Sequence, residues 1–185
     1  MRIISGKLKG KTISFIKSST TRPLKDNVKE NIFNIISHSK FLNNGIKNSN
    51  VLDLYSGIGS FGIECLSREA KKVTFVEKDS NAIKILEKNL SNLAINEKSL
   101  IVFDKIENFF KKENFEKFDI IFLDPPFAEN EFIKDLQMIK EKKIFKKNHL
   151  IILHREHKSE DKLNKVLNIR LIKKYGRSKI IFGKF

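Results

Sequence analysis

From Val51 onward, short apolar runs alternate with longer charged stretches whose apolar residues recur at helical spacing. That alternation admits few folds, because strands separated by amphipathic helices bury themselves as a parallel sheet covered on both faces. The runs predict strands at Val51 to Leu54, Lys72 to Val76, Leu100 to Phe103, Ile120 to Leu123 and Leu150 to His154. Two further runs, Leu167 to Lys174 and Lys179 to Phe185, flank Tyr175-Gly176-Arg177-Ser178 and predict a closing antiparallel hairpin. The expected fold is α/β and Rossmann-like, with a seven-stranded, mostly parallel sheet ending in that hairpin.

Ahead of this region, residues 1 to 17 alternate basic and apolar groups around Gly6 and Gly10, which predicts a small N-terminal β-hairpin with a basic face. We divide the chain into this extension, residues 1–20, and a main domain, residues 21–185. A helix is expected from about Asp26, with Val28, Ile32, Phe33, Ile35 and Ile36 on its apolar side and Pro23 blocking an earlier start. Residues 1 to 30 carry eight basic groups, Lys29 among them, against Asp26 and Glu30. Arg2, Lys7, Lys9, Lys11 and Arg22 are therefore candidate contacts to nucleic-acid phosphates. The net charge of +15 also suggests a polyanionic partner. Abundant Lys, Ile, Asn and Phe are the signature of an A/T-rich coding sequence, so the six arginines say more than the lysines.

Several classes of protein are excluded. No stretch reaches the roughly 18 apolar residues of a membrane span, and the N-terminus lacks the apolar run of a secretory signal, so a cytoplasmic protein is expected. The single cysteine, Cys65, forms no internal disulfide and sits in an apolar helical stretch, where it reads as a core residue. The four histidines have no zinc-site spacing, and no metal is expected. His154 and His157, beside Arg155 and Glu156, read as a solvated strand end.

The first main-domain strand leads into Asp53-Leu54-Tyr55-Ser56-Gly57-Ile58-Gly59-Ser60-Phe61-Gly62 and then a helix. Glycines allow a tight turn and close approach of a ligand to the backbone. Glu77 follows at the end of the next strand, where a carboxylate can accept hydrogen bonds from ribose hydroxyls. Gly57-x-Gly59-x-x-Gly62 with Glu77 also satisfies the fingerprint of NAD-binding folds. A pyrophosphate, however, wants free amides and no nearby anion, whereas Asp53 favours the cationic sulfonium and ammonium of S-adenosylmethionine. The candidate cofactor residues are Asp53, Ser56, Gly57, Gly59, Gly62, Glu77 and, at the end of the third strand, Asp104.

Asp124-Pro125-Pro126-Phe127 emerges where a buried strand ends, on the ligand side of such a sheet. The prolines stiffen the turn and aim its carbonyls. An exocyclic base amine is a poor nucleophile because its lone pair is delocalised into the ring. If Asp124 and the Pro125 carbonyl accept its hydrogens, the lone pair is directed and the developing charge stabilised, while Phe127 stacks on the base. Asp124, Pro125, Pro126 and Phe127 are the candidate catalytic residues.

In Arg2-Ile3-Ile4-Ser5-Gly6, Thr21-Arg22-Pro23, Ile32-Phe33-Asn34, the Asp53 to Gly62 loop, Leu66-Ser67-Arg68, Glu77-Lys78-Asp79 and Asp124 to Phe127, taken in this order, the chain resembles the RsmD family of bacterial 16S rRNA guanine-N2 methyltransferases. The resemblance covers nearly the whole chain. It implies an S-adenosylmethionine-dependent methyltransferase fold and methyl transfer to a guanine N2 in 16S rRNA, presented by the assembling small ribosomal subunit to a monomeric enzyme. Ser5, Leu24 and Glu69 depart from the family pattern, and Lys29 stands where arginine is usual. Glu69 replaces a glycine suited to a left-handed helix C-cap. Three other readings stay open: an adenine-amine methyltransferase acting on DNA or RNA, an NAD-dependent oxidoreductase, and a ribosome-binding protein without catalysis.

Overall fold

The computed structural model describes residues 1–15, 24–39, 41–43, 45–127 and 130–185. Thr21, Arg22 and Pro23 lie outside the described residues. In chain order the elements are α1 (Asp26–His38), β1 (Asn50–Leu54), α2 (Ser60–Ser67), β2 (Lys72–Glu77), α3 (Ser80–Asn92) and β3 (Ser99–Phe103). There follow α4 (Ile106–Phe109), β4 (Phe118–Leu123), α5 (Phe132–Lys142), β5 (Phe145–Glu156), β6 (Asn168–Tyr175) and β7 (Ser178–Lys184).

Seven strands form one sheet in the order β3-β2-β1-β4-β5-β7-β6. The first five are mutually parallel, and β7 runs antiparallel to both β5 and β6. Alternation along the strands divides the core in two. Val51, Ile120, Phe122, Leu150 and Ile152 face the cluster that includes α1, α2 and α3, while Leu52, Leu54, Ile121, Leu123, Ile151 and Leu153 face that of α5. Burial on both faces is why these strands read as continuous apolar runs. Gly62 is required by this packing, since a Cβ there would lie 2.3 Å from the Phe75 ring.

Among the described residues the N-terminal hairpin is closed by one antiparallel bridge, Arg2 to Thr12, rather than by extended strands. It is built into the main core: Ile3 and Ile13 are buried with the α1–α3 cluster. Gly6, at φ +84°, approaches Ser67 so closely that a Cβ would sit 2.0 Å from its carbonyl oxygen. Glu64 of α2 is fully buried and accepts from the backbone amides of Ile4 and Ser5 at 2.8 and 3.0 Å. Its other partners are Arg68 at 2.9 Å and Lys29 at 3.6 Å.

Lys29 is consequently a correction to the surface charge inferred from sequence. Its ammonium is buried and donates to the Arg2 carbonyl, and burial pulls its pKa below the ordinary value despite the opposing pull of Glu64. Glu69 takes the left-handed conformation to which a glycine is suited, with φ 68°. Cys65 is a buried core residue, as expected. Among the described residues no helix is long and apolar enough to cross a membrane.

Candidate active site

Parallel register brings the C-terminal ends of the central strands level. Leu54 pairs with Val76 and Leu123, Glu77 with Phe103, and Leu123 with Leu153. The residues that follow therefore emerge together along one edge of the sheet, where α/β folds bind ligands. A cavity of about 790 Å³ opens there. Asp53, Ser56, Gly57, Glu77, Asp104, Asp124, Pro125, Pro126 and Phe127 all line it. Gly59 and Gly62 do not. Gly59, at φ 83°, packs against Leu86, and Gly62 serves the α2–β2 contact and donates its amide to Asp53.

Two carboxylates organise the glycine loop. Asp53 is almost fully buried, and its Oδ2 accepts from the Gly62 amide at 3.0 Å, near the start of α2. Glu77 accepts from Gly57 through Oε2 at 2.7 Å and from the Lys78 and Asp79 amides through Oε1. Tyr55, at φ 59°, occupies a left-handed conformation that bulky residues rarely adopt, and its hydroxyl donates to Asp135 at 2.6 Å. Burial raises Asp135 to a pKa of about 6. Ser56 Oγ is buried with no hydrogen-bond partner among the described residues, as expected of a group that a ligand satisfies.

Charge discriminates between the two cofactors. In a protein of net charge +15, this cavity is lined by eight carboxylates against Lys78, Lys105 and Arg177. Asp53 and Glu77 already occupy loop amides that a pyrophosphate would need, and the acidic lining disfavours its charge. Acceptors of this kind fit the hydroxyls and cationic groups of S-adenosylmethionine.

Burial pushes the Asp53 carboxyl well above its ordinary pKa of 3.8, and the nearby Asp124 and Glu77 push the same way against the Gly62 hydrogen bond. Below about 4 the group is protonated in both folded and unfolded chains. As pH rises through its raised folded value, ionisation is opposed in the folded state and stability is lost. Asp53→Asn keeps an acceptor for Gly62 and should therefore melt at a higher temperature than wild type at pH 7, with the gap closing as pH falls toward about 4. It should also bind S-adenosylhomocysteine more weakly. Thermal scans at several pH values and calorimetry check both halves.

At the other wall, the sequence reading of a solvated strand end is overturned. His154 and Arg155 are 5% and 1% exposed, because β5 lies between β4 and β7 and carries both into the interior. His154 Nδ1 is 2.8 Å from Asp124 Oδ1. Arg155 donates to the carbonyls of Pro126 and Phe127, each at 3.1 Å, pairs with Asp161 at 3.1 Å, and lies 4.3 Å over the Phe132 ring. Burial alone would raise Asp161, but hydrogen bonds from Ser159 and Lys179 and the Arg155 charge hold it below the ordinary range. The Asp124 turn is thus clamped from β5. Register contained the signal, since a strand paired Leu123 to Leu153 sets residue 154 beside residue 124. The His157 ring meets the Gly176 carbonyl and its backbone amide donates to the Arg177 carbonyl, and no cluster of metal-ligating residues occurs among the described residues.

The family described as Conserved hypothetical protein 95 matches residues 1–184. A relative from Buchnera aphidicola subsp. Baizongia pistaciae, named ribosomal RNA small subunit methyltransferase D, is 36% identical over 184 residues, covering 98% of this chain and 88% of its own. The chain belongs to this methyltransferase D family. The solved structure of HI0767 from Haemophilus influenzae is 31% identical, with a TM-score of 0.77 and coverage of 98% of this chain and 96% of that one. The fold of the methyltransferase D family extends to SMU.776, a structure solved with SAH at 15% identity and a TM-score of 0.65, covering 85% of this chain and 49% of that one.

Proposed function

We propose that the protein methylates the N2 amine of a guanine in 16S rRNA, within an assembling small ribosomal subunit, using S-adenosylmethionine. One observation carries the reading. The Asp124-Pro125-Pro126-Phe127 turn opens onto the same acidic cavity as Asp53 and Glu77, in a chain of the ribosomal RNA small subunit methyltransferase D family. The SAH complex of a protein sharing the fold supports the cofactor.

Glu77 receives the ribose hydroxyls, Ser56 and Gly57 line the loop beside them, Asp104 binds the adenine amino group, and Asp53 balances the cationic methionine end. When bound, S-adenosylmethionine supplies a methyl group on a good leaving group, so this chain need only orient and deprotonate the amine. Asp124 and the Pro125 carbonyl accept the amine hydrogens, and Phe127 offers its ring to the base face. Asp124 then takes the proton that the methylated nitrogen gives up.

Small subunits from a strain lacking this gene, incubated with the protein and labelled cofactor, test the reading. Label should appear as N2-methylguanine at a single 16S rRNA position. Label on an adenine amine, or no transfer to subunits at all, would refute it.

In this reading the N-terminal extension contacts the RNA backbone through Arg2, Lys7, Lys9 and Lys11. Lys9 and Lys11 are exposed, whereas Lys7 is paired to Glu69 at 2.9 Å. Deleting the extension is a poor probe, because it would strip Glu64 and Asn89 of backbone partners and remove Ile3 and Ile13 from the core. Lys9→Glu with Lys11→Glu avoids this. The double variant should bind subunits more weakly and lower the salt slope of log K by about 2, with cofactor affinity intact. An unchanged slope in a filter-binding titration would remove these lysines from the interface.

A further inference from the structure

His154 presents two ring nitrogens in unlike situations. Nδ1 meets Asp124 at 2.8 Å, and the ring stands edge-on to Phe127 with centroids 5.4 Å apart. Nε2 is buried without a hydrogen-bond partner among the described residues, although the side chain lines the cavity. A carboxylate oxygen accepts, which places a ring hydrogen on Nδ1, and in a ring that carries this one hydrogen Nε2 is an acceptor. A buried acceptor left unmatched is costly, which marks Nε2 as an atom that a bound donor satisfies.

We infer that His154 Nε2 accepts the N1 hydrogen of the target guanine, and so selects guanine over adenine at a turn that could otherwise serve either base. The inference rests on the guanine-N2 reading. What separates the bases is the ring nitrogen next to the exocyclic amine. In guanine, N1 beside N2 carries a hydrogen; in adenine, N1 beside N6 carries a lone pair, as does N3 beside N4 in cytosine. Against Nε2, either of the latter sets lone pair facing lone pair and leaves both desolvated. Phe127 takes any base face, Asp124 any exocyclic amine, and His154 reads the edge between them. Asp124 has a second part in this, because its carboxylate holds the ring in the tautomer that makes Nε2 an acceptor.

The test compares small subunits reconstituted with guanosine at the mapped target and subunits carrying 2-aminopurine riboside there. The analogue keeps the N2 amine but has a lone pair at N1. Wild type should prefer guanosine in kcat/KM by about 10- to 100-fold. His154→Leu should lose most of that preference, its rate falling mainly on guanosine. His154→Asn retains a donor for Asp124 but has no Nε2, and it should lose the preference too. Melting temperature and S-adenosylhomocysteine affinity verify that each variant is folded with its cofactor wall intact. An undiminished preference in either folded variant overturns the role for His154, as does an equal fall on both substrates. Failure of the guanine-N2 reading shows separately and earlier, when wild type labels something other than a guanine N2.

Discussion

Asp124→Ala is expected to lower methyl transfer by about 10²–10⁴-fold while leaving S-adenosylhomocysteine affinity unchanged. The side chain lines the cavity and meets His154 at 2.8 Å, whereas the loop amides are held by Asp53 and Glu77. Its loss removes the acceptor that directs the amine and also frees His154 to turn. Asp124→Asn sharpens the point. An amide can still offer its oxygen to His154 Nδ1, but it then presents hydrogens to an amine that has only hydrogens to give. Stability should stay close to wild type while turnover falls about as far as in the alanine variant. Rapid-quench turnover with calorimetric cofactor binding decides the matter, and a parallel loss of both would move Asp124 to the cofactor wall.

Arg155→Met should destabilise the fold by about 3 kcal/mol, the low end for breaking a buried ion pair, because Lys179 and Ser159 still serve Asp161. For a chain of this size that corresponds to a melting temperature roughly 10 °C lower. The guanidinium meets three acceptors at once, Asp161 and the carbonyls of Pro126 and Phe127. A lysine there keeps the charge but cannot span all three. Arg155→Lys should therefore recover much of the stability while turnover remains low, since the carbonyls next to the base-facing ring are released. Full turnover in the lysine variant would show that the turn holds its shape unaided.

Most of the sheet was legible because a strand buried on both faces leaves an unbroken apolar run. Residues 51–54, 72–76, 100–103 and 120–123 each lie within an observed strand, as do the two runs of the closing hairpin apart from Leu167 and Phe185. β5 was legible only in its middle, since its first residues, Phe145-Lys146-Lys147-Asn148-His149, are polar enough to pass for a loop. At its other end, His154 and Arg155 looked like surface because charge alone suggested water. Their partners, Asp124, Asp161 and two carbonyls, belong to other parts of the chain and only the fold assembles them. Lys29 misled for the same reason, although its spacing from Ile32, Phe33 and Ile36 sets it on the buried side of α1. Glycines show the converse limit. The motif has three, but the fold uses Gly59 and Gly62 for packing and leaves Gly57 beside the cavity.

The proposed cofactor-binding and base-facing residues of the cavity come from two stretches of chain that do not interleave. Asp53, Glu77 and Asp104 stand at the ends of β1, β2 and β3, and both β1 and β2 pair with the strand that follows them in the chain. Asp124 and His154 wait for β4, whose partner β1 was completed before α2, α3 and α4 were made. Short closures cost less entropy than long ones, so the first three strands should gather before β4 docks. A ribosome releasing the N-terminus first imposes the same sequence of events. The nascent protein would then acquire its cofactor wall before its base wall, an order that pulse-labelled hydrogen exchange during refolding would expose as early protection of β1 to β3.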